Sequence, residues 1–146
     1  MVAITKGLFR VILQTPRAKL LDCRAGSLIV PTHDGQWGIM RNHCPLLAKL
    51  SLGILQVRDI TDHDNAYYIV EGGFIRVTEN HVTVLAYDVI TFEGLEKGEI
   101  VDMVSEAQSV VAGQEYIRSQ KELIDADRAR LIVRMAELAG VDKEEA

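Results

Sequence analysis

The sequence predicts an N-terminal antiparallel β-sandwich over residues 1–88 followed by a C-terminal antiparallel two-helix hairpin over residues 89–146. Three observations carry that prediction. From Leu8 to Ala86, short runs rich in Val, Ile, Leu and Tyr alternate with Gly, Pro, Asn and Asp, the punctuation of strands joined by turns. No helical pattern separates those runs, which favours a sandwich or barrel over a parallel α/β sheet. After Asp88 the apolar spacing changes to three and four residues, the period of a helix face.

Strands are expected at residues 8–13, 19–25, 27–30, 36–40, 53–60, 67–70, 73–77 and 81–86. In the run from Ile54 to Arg58, Leu55 and Val57 point inward while Gln56 and Arg58 face water, and Val82, Val84 and Ala86 repeat the pattern further on. The polar clusters Thr61-Asp62-His63-Asp64-Asn65 and Glu79-Asn80 read as hairpin tips, because Asn and Asp tolerate left-handed backbone and bond their own main chain. In Glu71-Gly72-Gly73-Phe74 no phosphate-loop spacing surrounds the glycines, so they are expected to permit a bulge or a close strand approach. Trp37, the only tryptophan, lies between turn-forming glycines and belongs either to the core or to a contact surface.

In the first helix, Ile100, Val104, Ala107 and Val111 share one face, and Asp102, Glu106 and Gln108 lie elsewhere around the cylinder. Gly113 is the expected C-terminal cap. A second stripe, Ile117, Ile124, Leu131, Met135 and Leu138, runs until Gly140, after which 142–145 are expected to fray. Gln120, Lys121, Asp127 and Arg128 narrow that stripe, so its burial supplies only a modest docking energy at about 25 cal/mol per Å². Reversible docking is then physically reasonable.

Composition limits the function classes. A chain of 146 residues, 48% hydrophobic and 25% charged, can bury one core or two small ones. Its longest apolar stretches, such as Ser27-Leu28-Ile29-Val30 and Leu131-Ile132-Val133, fall far short of the roughly 20 residues that span a bilayer, so membrane association is expected only through partners. The first six residues lack a signal or transit pattern, which suggests a cytoplasmic start. Residues 1–88 carry nine Lys/Arg against eight Asp/Glu, whereas 89–146 carry seven against thirteen. With no basic stripe and no interleaved aromatics, nucleic acid is a poor partner.

Cys23 and Cys44 lack metal or redox spacing and are expected as buried thiols. His33 with Asp34, His43, and His63 with Asp62 and Asp64 form no metal-ligand pair or nucleophile arrangement. Neither a catalytic residue, a metal nor a cofactor is expected. A binding or regulatory role follows.

One stretch carries a resemblance. Pro31, then Gly35-Gln36-Trp37-Gly38-Ile39-Met40-Arg41-Asn42-His43-Cys44-Pro45-Leu46-Leu47, resembles the Pro/Gly loop, Gly-Ile and His-x-Pro-Leu pattern of the epsilon subunits of F-type ATP synthases. Gly53-Ile54-Leu55, Gly72-Gly73-Phe74 with Val77, and Asn80 before Val82-Thr83-Val84-Leu85-Ala86 follow in the family's order. The resemblance covers residues 8–88 in detail and the remainder by architecture.

The resemblance implies a non-catalytic central-stalk rotor part. Its sandwich packs on the gamma subunit and rests on the ring of membrane-embedded c subunits, on the cytoplasmic face of the bacterial inner membrane. By position, Gln36 and the loop Met40, Arg41, Asn42 and His43 meet the c ring. The family more often has an acid at Gln36, and Cys44, unusual there, is expected as a small buried substitute. The hairpin of such subunits folds against the sandwich or extends toward the alpha and beta subunits of the catalytic head, where it restrains ATP hydrolysis. Arg128, Arg130 and Arg134 are candidates for acidic segments of that head, or form a solvated face paired with Asp125, Asp127 and Glu137.

The family's ATP-sensing motif, I/L-D-x-x-R-A, belongs at the start of the first helix, where residues 95–102 lack the arginine. Ile124-Asp125-Ala126-Asp127-Arg128-Ala129 fits the string but lies in the second helix, so ATP binding is not expected. Two other readings stand beside the rotor: a β-sandwich adaptor or ligand-binding module of another assembly, and a small hydrolase using His43 or His63.

Overall fold

The computed structural model describes residues 7–61, 64–112 and 120–140. Two compact units, Met1–Ile90 and Thr91–Ala146, divide the chain. In the first, eight strands follow one another: β1 Phe9–Gln14, β2 Lys19–Ala25, β3 Ser27–Thr32, β4 Gly35–Met40, β5 Leu46–Lys49, β6 Gly53–Arg58, β7 Ala66–Thr78 and β8 His81–Thr91. In the second, α1 spans Lys97–Ala112 and α2 spans Gln120–Ala139.

The strand order β2-β1-β8-β7-β6-β3-β4, with β5 on β7, becomes a sandwich because β7 serves both layers. Its first half, from Ala66 to Val70, pairs with β6, and its second half, from Phe74 to Val77, pairs with β5. Gly72 and Gly73 lie between the halves with φ of 67° and 109°, values that suit only glycine without strain. A Cβ on Gly73 would stand 1.9 Å from the Leu85 carbonyl oxygen, so β7 bends while touching the backbone of β8. Strands that cross between packed layers turn at such bulges. Sequence spacing splits this segment into two strands; the structure makes it one, because the glycine pair bends the ladder without ending it.

The pairing is antiparallel except between β1 and β8, which run parallel from Arg10↔His81 to Gln14↔Leu85. A bridge between Thr32 and Leu50 joins the ends of β3 and β5 and brings the layers together there. Inward side chains then meet in a single cluster that includes Phe9, Val11, Leu13, Leu28, Leu55, Val57, Tyr68, Ile75, Val82 and Val84. Leu55 and Val57 are buried as their alternation predicts, and so are Val82, Val84 and Ala86. Trp37 is half-buried against this cluster.

Glu79 and Asn80 both hold positive φ, 47° and 60°, in the two-residue turn that joins β7 to β8. The expected β6–β7 tip lies partly outside the described residues, at Asp62 and His63. Its base is closed by the Asp59 amide, which donates to Asn65 Oδ1 at 3.0 Å. Strand β5 escapes the sequence reading because Leu46-Leu47-Ala48-Lys49 is short and shows no clean alternation of character. Strand β8 extends past Ala86 to Thr91.

Neither cysteine is fully buried. Cys44 is exposed in the β4–β5 loop, and Cys23 is half-buried on the edge strand β2.

In the helical unit, α1 begins where the Glu99 carboxylate accepts the Glu96 amide at 3.1 Å, the back-bond of a capping box. Val104 and Ala107 are buried, with Ile100 and Val111 half-buried beside them. The helices pack on each other. Along α2 the buried residues are Ala126, Ala129, Met135 and Ala136, and Leu131 and Leu138 are half-buried. Among the described residues of α2, three of the four buried side chains are alanines, which the stripe of larger apolar residues does not include. Gly140, at φ 77°, ends α2. Gly113, Ile117, residues 142–145 and the side chain of Ile124 lie outside the described residues.

Candidate functional site

Strand β4 is an edge strand, so one side of its backbone and one face of its side chains are open. Alternation turns Ile39 and the half-buried Trp37 inward and leaves Gln36, Gly38 and Met40 exposed. Gln36 and Met40 thus share one face but lie about 13 Å apart along the strand. The structure brings Met40, Arg41, Asn42 and His43 together in one loop and leaves Gln36 at the far end of β4.

That loop turns tightly. Asn42 takes φ 65°, a conformation Asn tolerates better than other side-chain-bearing residues, and the His43 amide donates to the Met40 carbonyl at 3.2 Å. His43 Nδ1 lies 2.7 Å from the Cys44 carbonyl, which requires the proton on Nδ1. Its ring stands 6.3 Å from that of Trp37, tilted by 58°. Arg41 donates from Nη1 to the Leu8 carbonyl at 3.4 Å while remaining exposed.

The surface so formed is apolar and cationic. Met40 is 65% exposed and Leu47, just past the loop on β5, is 72% exposed. The register pairs Leu47 with Arg76 and Lys49 with Phe74, so an outer face of β5 and β7 carries two apolar and two basic side chains. Leu20 and Tyr87 are further large apolar groups open to solvent. Such a surface suits contact with a protein partner. Among the described residues, no group of three His, Cys, Asp or Glu side chains could hold a metal. None of their helices is long and apolar enough to cross a membrane.

Opposite β8, on the other side of β1, Arg10 donates from Nε and Nη2 to the two carboxylate oxygens of Asp22, at 3.0 and 2.9 Å, and Lys19 approaches at 3.4 Å. The Arg10 hydrogen bonds hold the Asp22 carboxyl at about 2, below its usual range, and Arg10 is raised in return.

On α2, three arginines that are close in sequence separate in space. At about 100° per residue, Arg130 and Arg134 share a side, whereas Arg128 points well away from both. Arg130 donates to Asp127 at 2.7 Å and Arg134 to Glu137 at 3.3 Å, both exposed; Arg128 is half-buried. The Asp125 side chain and His63 lie outside the described residues. Ala126 and Ala129, in the ATP-motif-like string, are buried.

Sequence spacing misses two participants. Leu47 is hidden because β5 is not legible, and Asn80 because its partner, Asn42, is 38 residues away. The left-handed residues at both ends of that pair are the only sequence signal, and they read as two unrelated turns.

Residues 8–92 match the family described as ATP synthase, Delta/Epsilon chain, beta-sandwich domain. The chain is similar to the ATP synthase epsilon chain of Symbiobacterium thermophilum, with 33% identity over 86% of this chain and 84% of the relative. It is also similar to that of Thermosynechococcus vestitus, with 32% identity over 78% and 81%. Among solved structures, a chain of the Euglena gracilis mitochondrial ATP synthase, OSCP/F1/c-ring, shares the fold at a TM-score of 0.59, 19% identity, 90% of this chain and 81% of that one. A chain of the Tetrahymena thermophila mitochondrial ATP synthase central stalk/c-ring shares it at 0.51, 16% identity, 86% and 94%.

Proposed function

Because this chain belongs to the ATP synthase delta/epsilon family, we propose that it is a non-catalytic rotor subunit of the central stalk in a proton-translocating F-type ATP synthase. The sandwich binds the gamma subunit and rests on the c ring, so that rotation of the ring reaches the catalytic head. One observation carries the reading at the level of residues: an exposed apolar and cationic loop, Met40–His43, mounted on the end of an edge strand whose inner face is locked into the core. Gln36 extends the same face of β4. Leu47, Lys49, Phe74 and Arg76 offer a second surface, suited to gamma.

The helical unit regulates. Its small buried residues favour an element that can leave one docking surface for another, extending to the alpha and beta subunits and restraining ATP hydrolysis. Arg130 and Arg134, already paired with acids on their own helix, can exchange those partners for acids of the head at little net loss, since exposed ion pairs contribute little. Arg128 lies elsewhere on α2 and makes a separate contact. The subunit is peripheral at the cytoplasmic face of the bacterial plasma membrane and is held there by its partners.

Binding to purified gamma tests the assignment, with micromolar or tighter affinity expected. No binding at that concentration contradicts it. Arg41→Glu is expected to leave gamma binding intact and to lower ATP-driven proton pumping per ATP hydrolysed in the assembled complex.

A further inference from the structure

We propose that Asn80, at the tip of the β7–β8 hairpin, is the positioning residue of the Met40–His43 loop, a role that rests on reading this loop as the c-ring contact. Asn42 and Asn80 hold each other reciprocally. The Asn42 amide donates to Asn80 Oδ1 at 2.6 Å, and Asn80 Nδ2 donates to Asn42 Oδ1 at 3.2 Å. The Asn80 carbonyl in turn accepts the Arg10 amide at 3.0 Å, which fastens the hairpin tip to β1. Through these three bonds the loop is tied to a strand of the other layer as well as to its own.

The geometry explains why asparagine stands at both places. Each residue is left-handed, at φ 65° and 60°, where glycine would fit with less strain but would supply no amide group. Oδ1 of Asn80 satisfies a backbone N–H that the turn at Asn42 directs outward, and the second bond fixes the rotation of both amides. An unanchored loop could present Met40 and Arg41 in many orientations, each of which must be lost on contact. The clamp removes that loss beforehand, and it does so from a residue outside the partner-facing loop.

The test uses the full chain and the assembled synthase. Asn80→Gly keeps the turn and removes the clamp. Hydrogen exchange of the Asn42 amide is expected to rise about tenfold, the scale of one lost hydrogen bond, with the Val57 and Tyr68 amides unchanged. Proton pumping per ATP is expected to fall further than in Asn42→Gly, which keeps the backbone N–H donor to Asn80 Oδ1, and the double variant is expected to fall no further than Asn80→Gly alone. Asn80→Asp retains an acceptor for the Asn42 backbone N–H, and the Asn42 side-chain carboxamide can flip so that its Nδ2 donates to the second carboxylate oxygen, so exchange and pumping are expected near the parent values.

Unchanged exchange at Asn42 in Asn80→Gly overturns the clamp. A loosened loop with intact pumping, in a complex where Arg41→Glu does lower pumping, overturns the positioning role. If Arg41→Glu also leaves pumping intact, the c-ring assignment of the loop has failed and the positioning role falls with it.

Discussion

In the sandwich, the largest buried side chains are Tyr68, Phe9, Leu13, Leu28 and Leu55, brought together from strands far apart in sequence. Among the described residues of the two helices, those buried are Val104, Ala107, Ala126, Ala129, Met135 and Ala136. Apolar burial stabilises in proportion to area, and an alanine offers little of it. The sandwich therefore draws on far more apolar area per buried side chain than the described helix residues do, which is the contrast that the proposed function needs. On the proposed function, the sandwich carries the constant mechanical task and the helices the conditional one.

The strongest attempt to break this contrast strikes the bend in β7. Gly73→Val places a side chain against the Leu85 carbonyl at a positive φ and is expected to destabilise the sandwich by at least about 4 kcal/mol. Trp37, the single tryptophan, lies in β4 and reports the loss by fluorescence in urea. Leu55→Ala comes next, at about 3 kcal/mol for a fully buried leucine. Met135→Ala is expected to cost the helical unit about 2 kcal/mol, visible as helical signal lost in urea while the Trp37 transition stays in place. A Trp37 transition that moves equally would mean that the two units unfold as one.

The smallest effect concerns Asp22. Its carboxyl, held at about 2 by Arg10, contributes stability above the unfolded pKa of about 4, and that contribution is lost as pH falls toward 2. Asp22→Asn is expected to lose stability relative to the parent at pH 6 but not at pH 2, the difference shrinking across that window. Because the pair is exposed, added salt should reduce it too.

What could be read from the sequence follows the same division. Strands with strict alternation, such as the one bearing Val82, Val84 and Ala86, are legible because burial on one face leaves a period of two. The Gly72-Gly73 bend is legible only as a break, since nothing local says that pairing continues beyond it with a new neighbour. Strand β5 depends on its partner β7 and has no pattern of its own. Cys44 misleads because apolar neighbours in sequence need not be neighbours in space. On α2, large apolar residues mark a stripe, but the alanines that line its close contacts carry no hydrophobic signal. The loop at Met40–His43 stands out through its resemblance, whereas the tie from Asn42 to Asn80 is a tertiary fact with no spacing rule behind it.

The proposed division of labour between the two units can be measured directly by deleting residues 91–146 and assembling the synthase with the sandwich alone. ATP-driven proton pumping should persist, with ATP hydrolysis equal to or above that of the full complex. Loss of pumping, with the sandwich still folded and bound to gamma, would contradict the claim that coupling resides in the sandwich.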